Sequence, residues 1–233
     1  EFSREHFHDS KVFGTLSPKI CKICREENEE LTGFENEEIL AEYQIYKTPG
    51  YVYMKGNVQI YSAGKQAADI SAFPEGIAVA VWSEEDTPDI CPDQTIDKVF
   101  TIENLTSFYR FKQEHSLVIY LGGYHNHSRR NLLMQIYQKL PDAQYYHFGD
   151  LDAGGFYILE HLKRKTRIPF QMFQMDIETL KKYEDYAKPL TENDKKRLMQ
   201  LEKMELPDEE RKLITYMLQK GIKLEQECIS ESQ

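Results

Sequence analysis

From about residue 97 onward, short apolar runs alternate with amphipathic stretches, and that alternation constrains the fold more than any other feature of the chain. Residues 98–102, 117–121, 144–148 and 170–175 read as strands. Residues 105–115, 128–140, 155–165 and 177–186 read as helices, the second stopped by Pro141. Units of this length predict an α/β fold, a parallel sheet flanked by helices and joined by right-handed crossovers. In such sheets ligands sit beyond the carboxyl ends of the strands.

One such end carries His147-Phe148-Gly149-Asp150-Leu151-Asp152-Ala153-Gly154-Gly155. Side chains alternate along an extended chain, so Asp150 and Asp152 point one way while Leu151 points into the core. Glu103 stands directly after the 98–102 strand, so three acids from two strand ends can meet in one crevice. Neighbouring carboxylates repel, and a divalent cation relieves the repulsion. Mg2+ (or Mn2+) suits such a site, because it takes hard oxygen ligands and keeps waters that a phosphate can replace. The plainer alternatives are a solvated turn with a helix cap for the Asp pair and a helix N-terminal acid for Glu103.

The first ninety residues follow another pattern. Residues 37–46 read as a helix, and the runs 51–55 and 58–61 flank Gly56-Asn57, a two-residue hairpin signal. A helix followed by a hairpin suits a small winged-helix-like α+β module over residues 1–90, with 83–97, rich in acids and prolines, as its linker. Residues 91–233 then form the second domain, closed by two helices. Thr191 with Asp194 opens the first of these, and Pro207 with Asp208, Glu209 and Glu210 opens the second. The chain starts at Glu1-Phe2 without a methionine, which reads as a fragment of a longer protein.

The net charge of −10 does not favour nonspecific attraction to nucleic acid. The acids gather in two blocks, 26–42 and 202–210, whereas Arg129-Arg130 and Lys163-Arg164-Lys165 with Arg167 supply basic clusters. These clusters, above all Arg129, Arg130, Lys163 and Arg164, are expected near the crevice as DNA contacts, with solvated helix faces as the alternative. His125 and His127, at the end of the second strand, read either as phosphate contacts or a proton relay, or as solvated loop residues. His147 reads as a packed core histidine. Cys21 and Cys24 form half of a zinc pattern whose other half is missing, so the four cysteines are expected to be free thiols in the cytoplasm. No apolar run reaches membrane-spanning length.

Glu103 within Thr101-Ile102-Glu103-Asn104, followed by Gly149-Asp150-Leu151-Asp152-Ala153-Gly154-Gly155, resembles the Toprim signature of topoisomerases, bacterial primases and related nucleases. Three further stretches resemble the JetD family, the nuclease subunit of the Wadjet anti-plasmid system. They are the run from Glu5 to Lys11, the run from Ile102 to Phe108, and Leu224-Glu225-Gln226-Glu227. The resemblance implies a Toprim domain preceded by a winged-helix (CAP-like) domain, as in the A subunit of topoisomerase VI. It also implies a homodimeric endonuclease that cuts double-stranded plasmid DNA together with a condensin-like motor. Asp150 and Asp152 would hold the metal, with Glu103 as a third ligand or general base. Topoisomerase VI cuts with a tyrosine in an Arg-Glu-x-Tyr-Tyr-like motif, but the local counterpart here, Arg4-Glu5-His6-Phe7-His8, has none. Tyr43, Tyr46, Tyr51, Tyr53 and Tyr61 carry no marking motif, so hydrolysis by water is expected over covalent strand passage. A Toprim module that binds DNA or a partner without cutting is the remaining alternative.

Overall fold

A computed structural model of the chain describes residues 2–28, 31, 34, 36–43, 45, 50–81, 88–122 and 127–229. Helices α1 (Phe2–Phe7), α2 (Val12–Glu27) and α3 (Asn36–Glu42) come first, and Cys21 of α2 and Ile39 of α3 bury a small cluster with Leu31 and Phe34 from the stretch between those two helices. Five strands follow: β1 (Gly50–Lys55), β2 (Val58–Ser62), β3 (Lys65–Asp69), β4 (Ile77–Val81) and β5 (Asp89–Pro92). The α/β alternation then runs β6 (Lys98–Ile102), α4 (Leu105–Arg110), β7 (Ser116–Tyr120), α5 (His127–Lys139), β8 (Gln144–Phe148), α6 (Ala153–Thr166), β9 (Gln171–Met172) and α7 (Ile177–Lys182). Strand β10 (Lys188–Pro189), α8 (Glu192–Leu201), α9 (Asp208–Lys220) and β11 (Ile222–Lys223) complete the order.

The main sheet has six strands in the order β4-β1-β7-β6-β8-β9. The pairings β7-β6, β6-β8 and β8-β9 are parallel, whereas β4-β1 and β1-β7 are antiparallel. Strand β6 is central, with β7 on one side and β8 on the other. The chain therefore reverses its direction of winding around β6, where an open α/β sheet forms its crevice. Successive side chains on β6 serve opposite layers. Val99 joins Leu132, Leu133 and Ile136 of α5 and Leu159 and Leu162 of α6, while Phe100 and Ile102 join Phe108 of α4, Leu198 of α8 and Leu213 and Met217 of α9. The Thr191–Asp194 capping box that opens α8 forms as the sequence predicts.

The expected hairpin at Gly56-Asn57 does not form. Strand β1 pairs with β4 and β7, whereas β2 pairs with β3 and β5 in a separate three-stranded sheet. Gly56 has φ of 139°, and a Cβ there would stand 2.5 Å from the Ser116 carbonyl oxygen. The glycine thus permits a close pass over the start of β7 and is not the centre of a hairpin turn. The main sheet in consequence draws strands from both sides of residue 90, and β5 falls in the stretch expected to be a linker.

Helix α4 also stops earlier than its pattern predicts. The Phe111 backbone turns extended and its ring packs 4.7 Å from that of Phe100. Buried Lys55, reaching across from β1, donates to the Phe108 carbonyl at 2.6 Å and the Tyr109 carbonyl at 3.3 Å, satisfying the helix end.

Candidate active site

The β6-β8 ladder places the three acids. Residues 98–102 pair with 144–148 in register, and the Glu103 N–H continues the ladder to the Phe148 carbonyl at 3.1 Å. Glu103 and the Asp150–Asp152 turn therefore leave adjacent strands at the same level. Asp152 is the N-cap of α6, accepting the Gly155 N–H through Oδ1 at 2.9 Å. Asp150 accepts the Gln226 N–H through Oδ1 at 2.7 Å. Leu151 between them is fully buried and exchanges both backbone hydrogen bonds with Leu224.

Two glycines make this packing possible. A Cβ on Gly155 would lie 2.1 Å from the Asp150 carbonyl oxygen, and one on Gly149 would lie 2.6 Å from Glu103 Oε2 and 2.8 Å from His147 Nε2. Gly149 thus forms the floor of a small cradle walled by Glu103 and His147.

Electrostatics mark the same residues. Burial, reinforced by Asp150 and Asp152, pushes the Glu103 carboxyl up to about 8 from its ordinary 4.5. Burial also raises Asp150 to about 6, with Asp152, Glu225 and Glu227 adding repulsion and the Gln226 N–H working the other way. Glu103 Oε2 is buried without a hydrogen-bond partner, as is His147 Nε2, and the two lie 4.0 Å apart. His147 is the buried histidine its sequence position predicts. Burial holds it neutral, with its pKa down at about 3, and its Nδ1 lies 3.0 Å from Thr101 Oγ1.

Among the described residues, no group of three His, Cys, Asp or Glu side chains is close enough as placed to hold a metal ion. The donor chemistry nevertheless fits a hard divalent cation. Three carboxylates lie near enough to repel one another, two of them resist ionisation, and one buried oxygen lacks any partner.

The expected DNA contacts fare differently. Arg130 is buried and paired with Glu42 of α3 through two hydrogen bonds, Nη1 to Oε1 at 2.5 Å and Nη2 to Oε2 at 3.1 Å. Arg129 turns inward, donating to the Leu121 carbonyl at 2.6 Å, and burial lowers its pKa. Lys163 binds Glu160 and Glu210. Arg164 is exposed, but twelve residues of α6 separate it from the Asp152 cap, about 18 Å at 1.5 Å per residue. The Lys163–Arg167 cluster therefore sits at the far end of α6 from the carboxylates, not beside them. Tertiary packing turned Arg129 and Arg130 inward and paired Lys163 with acids, and residue type alone does not reveal that. His125 lies outside the described residues, as does the side chain of His127. Gln226, which meets the acids from the far end of the chain, was singled out in the sequence only as part of the run Leu224–Glu227.

Comparison with known proteins agrees with this architecture. Residues 88–233 match the family model for Wadjet protein JetD, C-terminal. The Wadjet protein JetD of Bacillus cereus (strain Q1) is 29% identical over 233 residues, covering 98% of this chain and 56% of the relative. The chain thus spans about half the length of the curated relative it matches. With the α/β sheet and the matched span, the chain belongs to the JetD C-terminal family.

Proposed function

We propose that this chain is the cutting part of a Wadjet nuclease. It hydrolyses phosphodiester bonds of closed circular double-stranded DNA at a Toprim-type centre formed by Glu103, Asp150 and Asp152. The proposal includes Mg2+ or Mn2+ as cofactor, a homodimer, a condensin-like motor as partner and a cytoplasmic setting. The observation that carries it is the convergence of three acids from adjacent strand ends around a buried, partnerless Glu103 oxygen. No helix of the described residues is long and apolar enough to cross a membrane.

A divalent cation held by the three carboxylates would polarise the phosphate and lower the pKa of a bound water. The chain supplies the rest. Asp150 and Asp152 each accept a backbone N–H through Oδ1, which restrains both carboxylates. Glu103, whose carboxyl burial and the two aspartates push upward, would serve either as a third ligand or as the base that takes a proton from an attacking water. The start of α6 favours an anion, and Gly154 leaves room for a phosphate to approach.

A tyrosine nucleophile is less well supported. Tyr43 and Tyr51 are exposed, Tyr53 packs against Phe108 and Tyr120, Tyr61 donates to Gln59, and Tyr46 lies outside the described residues. Tyr120, whose charge Glu103 opposes, has its phenol pKa raised chiefly by burial, the reverse of activation.

Supercoiled plasmid incubated with the protein and Mg2+ or Mn2+ tests the proposal. Nicked or linear DNA with free ends is expected, lost in Asp150→Ala and Asp152→Ala. Protein linked to DNA ends would overturn hydrolysis in favour of the tyrosine route. Plasmid bound but uncut, with the motor subunits also present, would leave a binding module.

A further inference from the structure

Gln226 is fully buried in a segment that approaches the catalytic strands from the opposite end of the sequence. Its backbone N–H and both ends of its side-chain amide meet the site, while its carbonyl accepts the Ile229 N–H at 3.0 Å. Its backbone N–H donates to Asp150 Oδ1 at 2.7 Å. Its side-chain Oε1 accepts the N–H of Asn104, the residue after Glu103, at 2.7 Å. Its Nε2 donates to the carbonyl of Phe148, the last residue of β8, at 3.0 Å.

These contacts have a specific consequence for the sheet. Among the described residues the β6-β8 backbone ladder ends at Glu103 N–H to Phe148 O, and beyond it the Asp150 N–H reaches the Glu103 carboxylate instead of a backbone carbonyl. The Gln226 amide spans the gap, joining the next backbone N–H on one strand to the last carbonyl on the other. It acts as an added rung at the level of the acids. The paired hydrogen bonds between Leu151 and Leu224 anchor the segment two residues away. A primary amide suits this place because it donates and accepts at once. An apolar side chain of the same volume would leave the Asn104 N–H and one Phe148 lone pair without this partner.

We infer that Gln226 is a positioning residue, a clasp that sets the distance and orientation between Glu103 and Asp150 and so tunes the affinity of the site for a divalent cation. The inference rests on the metal-centre reading above and deepens it. Outer partners that orient metal ligands are typically worth about 10–100-fold in affinity.

The test is calorimetric titration of MnCl2 into the 233-residue chain and into Gln226→Met and Gln226→Ala, with circular dichroism to check folding. Gln226→Met preserves volume and removes the amide, so packing and positioning give different results. The clasp predicts a wild-type spectrum for Gln226→Met with Mn2+ binding at least about ten-fold weaker. Gln226→Ala should bind as weakly or more so. Wild-type affinity in Gln226→Met would overturn the clasp while leaving the metal centre standing. Absence of Mn2+ binding by the unmodified chain would overturn the metal centre, and the clasp with it. Unfolding of both variants would make Gln226 a determinant of the fold and also overturn the inference.

Discussion

Gly155→Ala tests the packing on which the site depends. Gly155 lies in the first turn of α6, and an added methyl would sit 2.1 Å from the Asp150 carbonyl oxygen and 3.2 Å from its nitrogen. Ordinary carbon–oxygen contact needs more than 3 Å, so the start of the helix and the Asp150 backbone would have to separate by about 1 Å. Both partners are backbone and cannot rotate away. Overpacking of this kind costs about 1–3 kcal/mol, and the upper end applies here. Alanine returns about 1 kcal/mol of helix propensity. The net loss is about 2 kcal/mol, which in a chain of this size lowers Tm by about 4–8 °C. Gly14→Ala in α2 is the control, since a methyl there meets nothing within 4 Å and only the propensity gain remains. Thermal denaturation followed by circular dichroism should show opposite shifts for the two variants. The same displacement moves Asp150 against Asp152, and a misplacement of about 1 Å at a catalytic centre can cost about a hundred-fold in rate. If Gly155→Ala melted at or above the wild-type temperature, the close helix approach would be refuted.

Two further outcomes follow from buried charge. Arg130→Met should free Glu42 and loosen α3 from α5, because removing one member of a buried pair strands the other, at about 3–5 kcal/mol. Hydrogen exchange should rise in α3 while β6 and β8 stay protected, and unchanged protection in α3 would refute the tether. His161 is buried, and burial, then Arg130, Arg164 and Lys165, hold its pKa down at about 3. Because the unfolded chain takes up that proton near 6.5, this contribution to stability is intact above pH 6.5. It falls by about 1.4 kcal/mol per unit as the pH drops from there toward 3. His161→Gln should therefore lose less stability than the wild type between pH 7.5 and pH 5 in urea melts, and superimposable pH profiles would contradict the assignment.

Much of the fold was legible because local pattern and tertiary demand agree from β6 onward. Strands β6 and β8 have the predicted limits, and Asn104, Asp152, Asp176 and Thr191 cap the helices that follow them. The hairpin was misread because Gly56-Asn57 carries a turn signal, while its glycine answers a long-range contact with β7 that no local window contains. The three acids could be brought together from the sequence because residues that directly follow adjacent parallel strands leave a compact pattern. Gln226 could not be assigned a role, since its partners Asn104 and Phe148 lie far from it along the chain. The basic residues failed for a related reason. Whether Arg130 faces solvent or Glu42 depends on where α3 docks, and charge alone does not encode that.

The structure also weighs on whether Glu103 is there for stability or for chemistry. As a structural acid it would cap α4, but that role belongs to Asn104, whose side chain accepts the Ser107 N–H at 3.1 Å. Glu103 instead accepts the Asp150 N–H and leaves Oε2 buried with no hydrogen-bond partner, beside two more carboxylates. Its folded-state pKa of about 8 lies above the ordinary 4.5, so its penalty to the fold is absent at low pH and grows as the pH rises between those values. At pH 7 that penalty is on the order of 3 kcal/mol. A glutamine of the same shape would escape this cost. An acid that weakens its own fold, caps no helix and lies beside Asp150 and Asp152 at the end of a parallel sheet fits the proposed metal centre better than a purely structural role. In the proposed centre, a bound cation would return that lost stability, and the repulsion among the three acids would become affinity for it.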